Sequence, residues 1–287
     1  MKPPDPESFA ADLRKRKRPG GKRPAAGVYG QPGKGPSLAI SVASTCGLLL
    51  LWWAASSLEL ASPLFLPPPS AVWQQLIEVS TEGFGGASLL EHTWISIYRV
   101  FFAFFAACFT AIPIGLAMGM SRMFRGIFDP PIEFYRPIPP LAYLPLIIIW
   151  FGIGEFSKIF LIYLACFAPI ALSTRSGVRT VSIEQIHVAY SLGATRAQVI
   201  LHVVLKAALP EILTGMRIGI GFGWTTLVAA EMVAAASGLG YMILNASEFL
   251  VTDVVVMGIF VIGLIALLSD FLMRYLERRF VPWKGKV

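Results

Sequence analysis

The sequence predicts an all-α integral membrane protein that crosses the bilayer six times, and three observations carry that expectation. Of its 287 residues 55% are hydrophobic and only 14% are charged, against about a quarter charged in ordinary soluble domains. The charges are spaced so that they leave uncharged stretches long enough to cross a membrane. Basic segments alternate along the chain with segments that hold no Lys or Arg. A soluble fold of this size needs far more polar surface, so soluble enzymes, disordered tail proteins and disulfide scaffolds are disfavoured. Cys46, Cys108 and Cys166 each stand alone in an apolar run. The expectation is three buried thiols, with neither a disulfide framework nor a metal clamp.

Residues 1–36 carry nine Lys/Arg against three acids. Prolines and glycines crowd the same stretch, so it reads as a disordered basic cytoplasmic tail. Arg14-Lys15-Arg16-Lys17-Arg18 could in principle grip nucleic acid or anionic lipid, but an orientation-setting tail is the simpler reading. The apolar run behind it is too long for a cleavable signal peptide. The transmembrane domain then occupies 37–287. Twenty-four uncharged residues between Lys34 and Glu59 give a span at about 38–58, and 22 between Arg99 and Arg122 give 92–120. Eighteen between Arg136 and Glu155 give 133–153, and 16 between Lys158 and Arg175 give 157–175. Thirteen beyond Arg217, then 16 between Glu231 and Glu248, give 210–236; 16 between Asp253 and Asp270 give 253–274. A span needs roughly 20 apolar residues, and the shorter stretches reach if an end charge snorkels. The basic tail, Arg122 and Arg125, the Arg175–Lys206 segment and the C-terminal Arg278–Lys286 alternate with basic-free segments. Both termini are therefore expected in the cytoplasm.

Between the first two spans, Pro67-Pro68-Pro69 precedes a short amphipathic helix that Ser70 could cap, with Val72, Trp73, Leu76 and Ile77 on its apolar side. It is expected to lie along the outer membrane face. The third span opens on Pro130, Pro131, Pro137, Pro139, Pro140 and Pro145, through which no regular helix should run. Broken helices at membrane depth survive where they pack in protein or line a wet cavity, which points to transport. The segment at about 176–209 is too long for an ordinary helix connection. Ser182 should open one helix, Gly193 end it, and a second begin near Thr195. The result is a cytoplasmic helix-turn-helix whose small residues Ala189, Gly193 and Ala194 let another protein come close.

That segment resembles the cytoplasmic coupling loop of ABC importer permeases: Glu-Ala-Ala, three residues, Gly, nine residues, Ile-x-Leu-Pro. With Gly193 fixing the register, the first three positions fall on His187, Val188 and Ala189, and the last four on Val203, Val204, Leu205 and Lys206. His187 and Lys206 depart from the pattern. Further segments resemble the permeases for taurine, aliphatic sulfonates and nitrate, and the taurine group most. They are His92-Thr93-x-x-Ser96-x-x-Arg99-Val100, Arg136-Pro137-Ile138-Pro139-Pro140-Leu141-Ala142 and Trp150-Phe151-Gly152-Ile153-Gly154. Leu209-Pro210-Glu211-Ile212-Leu213-Thr214-Gly215-x-Arg217, Leu227-Val228-Ala229-Ala230-Glu231 and Gly238-Leu239-Gly240 complete the set.

The resemblance implies a type I ABC importer permease fold with a cytoplasmic coupling helix, in a bacterial inner membrane. It implies a homodimer enclosing the pathway, two cytoplasmic ATPase subunits holding ATP and Mg, and a periplasmic substrate-binding protein. The cargo would be a small anion, taurine or a related sulfonate first, with nitrate or bicarbonate as the alternative. His187, Val188, Ala189, Tyr190, Gly193, Ala194, Thr195 and Arg196 would face the ATPase. The chain itself should bind no cofactor, metal or nucleic acid and hydrolyse nothing. It has no G-x-x-x-x-G-K-[ST] loop, H-E-x-x-H or G-x-S-x-G, and His92, His187 and His202 are scattered. An ion-coupled secondary transporter is the rival class, but no internal repeat supports it and the long loop would be idle. Along the route acids should be scarce, with Tyr143, Trp224, Thr225 and Thr226 as candidate lining. Glu231 lies 14 residues past Arg217, or ~21 Å along a helix. That depth matches Arg99 at the outer end of the second span. The two are expected to pair and brace an outer gate, so that exchanging their charges would restore part of the function each loses alone.

Overall fold

A computed structural model describes residues 37–282. The basic tail expected over 1–36 lies outside the described residues. The chain divides into two units, Met1–Leu51 and Trp52–Val287. Helix α1, Ser37–Ser57, runs from the first into the second, and Cys46 on it is exposed rather than buried. All that follows concerns the second unit.

Its helices are α2 (Pro69–Thr81), α3 (Leu89–Met120), α4 (Arg122–Tyr135), α5 (Pro140–Phe151) and α6 (Glu155–Arg179). Then come α7 (Ile183–Ser191), α8 (Arg196–Val199), a π-helical turn at Ile200–Val204, α9 (Leu205–Ala234), α10 (Leu239–Glu248) and α11 (Thr252–Phe280). Among the described residues five helices are long and apolar enough to cross a membrane, and the bent pair α4–α5 makes a sixth if it is counted as one span.

That pair corrects the expected span 133–153. Helix α4 begins at Arg122 and runs on through Pro130 and Pro131, which lie in its interior. The break comes later, between Tyr135 and Pro140, where α5 turns away by 107°. Each proline deletes one backbone donor, and the α4 turns tolerate two such losses. At 136–139 Pro137 and Pro139 are joined by Pro140, which instead starts the next helix, its favoured position. Arg175 of α6 pairs with Asp129 and, at 3.7 Å, with Glu133, tying α4 down. Helix α2 is also reassigned at its start: Pro68 is the N-cap, Pro69 takes the first turn, and Ser70 caps nothing. Val72 and Val79 are its buried residues, while Trp73 and Ile77 are exposed.

The core is a three-helix sandwich of α6 between α3 and α9. Phe104, Ala107, Ala111 and Met118 of α3 meet Ile162, Cys166 and Ile170 of α6 and Ile220, Trp224 and Leu227 of α9. Glycine makes the approach possible, as small residues do wherever apolar lipid removes the drive to bury hydrocarbon. A Cβ on Gly115 would stand 2.6 Å from the Ala171 carbonyl oxygen, and one on Gly215 would stand 2.5 Å from Ser173 Cβ. Gly115→Val should therefore force α3 off α6 and lower stability by about 1–3 kcal/mol, read as a fall in the thermal midpoint in detergent. An unchanged midpoint would mean that α3 and α6 are not held this closely. A second apolar cluster joins α2, α10 and α11 through Val72, Leu239, Met242, Val254 and Met257.

Candidate functional site

Three features stand out, beginning with the turn between α6 and α9. Ser182 caps α7 by accepting from the Gln185 backbone N–H at 3.3 Å. Glu184 in the first turn is held below the ordinary carboxylate range, first by its own backbone N–H and then by the Ser182 hydroxyl. Gly193, at φ +83°, ends the helix in the left-handed region. Its N–H donates to the Tyr190 carbonyl at 2.9 Å, and that of Ala194 to the Ala189 carbonyl at 3.0 Å. Thr195 and Gln198 then form a reciprocal capping box for α8. The structure thus places the helix-turn-helix where the sequence predicts it. No residue of α7 is buried: His187, Val188 and Tyr190 are exposed, as are Gly193, Thr195 and Arg196. Ala189 and Ala194 are half-buried, against Val199, Val204 and their neighbours in the same chain. Beside α7 a groove of about 550 Å³ is lined by Val188, Leu192, His202 and Lys206 among others.

The second feature is a cavity of about 480 Å³ in the elbow of the bent pair. The 135–140 turn, Tyr143, Ser173, Ser176, Glu211 and Phe222 line it. Sequence reasoning singled out Tyr143 as lining and missed Arg136, the serines and Glu211; Arg136 and Glu211 had entered only as a stretch boundary and as members of segments that resemble the family. The other expected lining residues are elsewhere. Trp224 and Thr225 face a separate groove of about 260 Å³ between α9 and α11. Thr226 is buried at 3% exposure. The four candidates do not share one cavity: Tyr143 lies on α5, and α9 turns Thr226 to a different side from Trp224 and Thr225.

The third is a buried ionic cluster. Arg99 on α3 is 1% exposed and Glu231 on α9 fully buried. Arg99 Nη1 donates to Glu231 Oε1 and to the Ser237 carbonyl, each at 2.7 Å. Its Nε and Nη2 fork onto both oxygens of Glu155 at 2.7 Å, a bidentate geometry that guanidinium favours. Glu231 also accepts from Ser96 Oγ at 2.8 Å and the Gly240 N–H at 2.8 Å. Ser96 Oγ takes the Leu239 N–H at 2.9 Å, and His92 Nδ1 the Gly238 N–H at 3.0 Å. Lys158 Nζ adds a 2.7 Å contact to Glu155. Two cations and two carboxylates balance, and the pairing lies within one chain. Glu155 was missed: with Lys158 it had served only to mark the ends of spans. Lys158 does not snorkel; it is 5% exposed. Gly238-Leu239-Gly240 is explained here too. Gly238 stands at φ +122°, and a Cβ on it would enter the Glu231 carboxylate.

A family model described as the binding-protein-dependent transport system inner membrane component matches residues 111–282. The chain belongs to this family. It is a membrane-spanning component of a transport system rather than an enzyme. The taurine transport system permease protein TauC of Escherichia coli K12 is 55% identical to it over 86% of this chain and 90% of the relative. The nitrate import permease protein NrtB of a Synechocystis species is 31% identical over 97% of this chain and 99% of its own. A chain of the MetNI methionine ABC transporter, in an inward-facing conformation, superposes with a TM-score of 0.59 at 19% identity. That match covers 67% of this chain and 95% of the other, and shows the type I importer permease fold.

Proposed function

We propose that this chain carries taurine or a closely related sulfonate across the inner membrane. The observation that carries the reading is the 55% identity to a taurine permease over nearly the whole membrane domain. Two copies would enclose the pathway, two ATPase subunits holding ATP and Mg would dock beneath them, and a periplasmic binding protein would deliver the cargo. The alternation of basic and basic-free segments would put both termini and α7–α8 on the cytoplasmic side. His187, Val188, Tyr190, Gly193, Thr195 and Arg196 then offer the exposed docking surface, and Ala189 and Ala194 support it from within. The cluster around Arg99 and Glu231 braces the outer end of α3, α6 and α9.

The elbow cavity adds support for the substrate class. It brings Arg136 and Glu211 to one lining, where a simple anion would call for donors alone. Taurine is a zwitterion: Arg136 would meet the sulfonate and Glu211 the ammonium, with Tyr143 and the serines as hydrogen-bonding neighbours. Radiolabelled uptake in a host deleted for its own taurine permease tests this, with the partner subunits supplied. The wild-type chain should restore taurine uptake. Glu211→Gln should lower taurine uptake about tenfold, the scale set by losing one charged hydrogen bond, and spare ethanesulfonate, which has no ammonium. Failure of the wild type to restore taurine uptake would end the substrate assignment. Equal losses for both substrates would end the role of Glu211.

A further inference from the structure

The groove between α9 and α11 that holds Trp224 and Thr225 adjoins a basic pocket. Arg217 lines both. The basic pocket, about 450 Å³, is completed by Arg274, Arg278 and Glu277. Asp270 holds two of the arginines side by side: its oxygens accept from Arg217 Nε and Arg274 Nε, each at 2.7 Å. Both guanidiniums are thereby fixed through Nε. The groove beyond is apolar, walled by Ile220, Trp224 and Val228 on one side and Ile262 and Ala266 on the other.

Charge and length together name the occupant. Arg217 to Val228 spans 11 residues of α9, or ~16 Å of helix, and half of a ~30 Å hydrocarbon core is ~15 Å. Arg274 and Arg278 lie one and two turns past Asp270 toward the end of α11, at headgroup level if the groove is at acyl level. We propose that an anionic phospholipid binds here, its phosphate on the Arg217–Arg274–Arg278 pocket and one acyl chain in the α9–α11 groove. Three arginines outweigh Asp270 and Glu277 by one charge, so a zwitterionic headgroup gains less than an anionic one. Thr225 then faces lipid rather than cargo, and Trp224, 4% exposed, lines the groove from the core side.

Native mass spectrometry of the full-length chain in detergent, titrated with dioleoylphosphatidylglycerol or dioleoylphosphatidylcholine, tests the site. The wild type should retain the phosphatidylglycerol selectively. R274Q/R278Q should weaken it roughly 30-fold, from about a fivefold loss per basic residue near a membrane surface, while R274K/R278K should keep most of it. Gly221→Leu should displace the chain without disturbing the protein, because a Cβ there meets nothing within 4 Å. If the arginine variant fails to fold, brominated phosphatidylglycerol on the wild type replaces it: it should quench a tryptophan signal that Trp224→Phe removes. Equal retention of phosphatidylcholine would overturn the proposal. So would displacement by inorganic phosphate alone, which marks a phosphate site, or chain-to-chain cross-linking from cysteines at 225 and 266, which marks a second copy in the groove.

Discussion

Arg99→Met should cost the protein its fold in the membrane, and not transport alone. Removing one partner from a buried ion pair typically costs 3–5 kcal/mol, because the other charge is left without compensation. Here one guanidinium serves Glu231, Glu155 and the Ser237 carbonyl together. A loss on the order of 4 kcal/mol is a large share of a membrane domain's margin of about 5–15 kcal/mol. Size-exclusion profiles and thermal midpoints of detergent-extracted protein should show little folded Arg99→Met. Glu231→Gln should be milder, since the amide oxygen still accepts from Ser96 and Gly240 while Arg99 keeps Glu155. Glu155→Gln should be mildest of the three, its side chain being 53% exposed. The exchange of charges at 99 and 231 looks restorative if the two residues form an isolated pair. With Glu155 in the cluster it should fail, because a carboxylate at 99 would meet another at 155. Substantial rescue by that exchange would show that Glu155 contributes little.

The second large effect is expected at the turn after α7. Gly193→Val should abolish transport while leaving the protein inserted and extractable. A β-branched residue at φ +83° carries strain of about 1–3 kcal/mol or more, and the turn would relax by moving α8 away from α7. That outcome alone does not separate a helix stop from a docking surface. Gly193→Asn does, since asparagine tolerates the left-handed conformation while adding bulk at an exposed point. If an ATPase subunit docks at the turn, the Gly193→Asn variant should still show a severalfold loss of co-purified ATPase and of uptake. Full activity of Gly193→Asn would leave glycine with the helix stop only.

Uncharged runs were enough to read the spans because a bilayer constrains length and polarity together. The turn after α7 was equally legible: Ser182, Gly193 and Thr195 are local signals whose hydrogen bonds close within a few residues. The third span was readable as broken but not where it breaks. Proline density marks lost donors, and tertiary contacts such as Arg175 with Asp129 decide which turn yields. Depth along a helix predicted that Arg99 and Glu231 meet. Depth could not predict Glu155, which comes from a third helix whose rotation no sequence period reports. The elbow cavity was hidden for the same reason: Arg136, Ser173 and Glu211 lie far apart in the chain, and it takes the packing of α6 on α9 together with the α4–α5 bend to bring them to one lining. Trp224, Thr225 and Thr226 were grouped as hydrogen-bond donors on one span, yet adjacent helical residues point to different sides.

The most direct test of the account is ATP hydrolysis by the reconstituted permease, its ATPase and its binding protein in liposomes. Taurine-loaded binding protein should raise the rate severalfold over the unloaded protein, and Gly193→Val in the permease should abolish that response while basal hydrolysis by the ATPase persists. A rate indifferent to taurine, or a full response in the Gly193→Val complex, would contradict it.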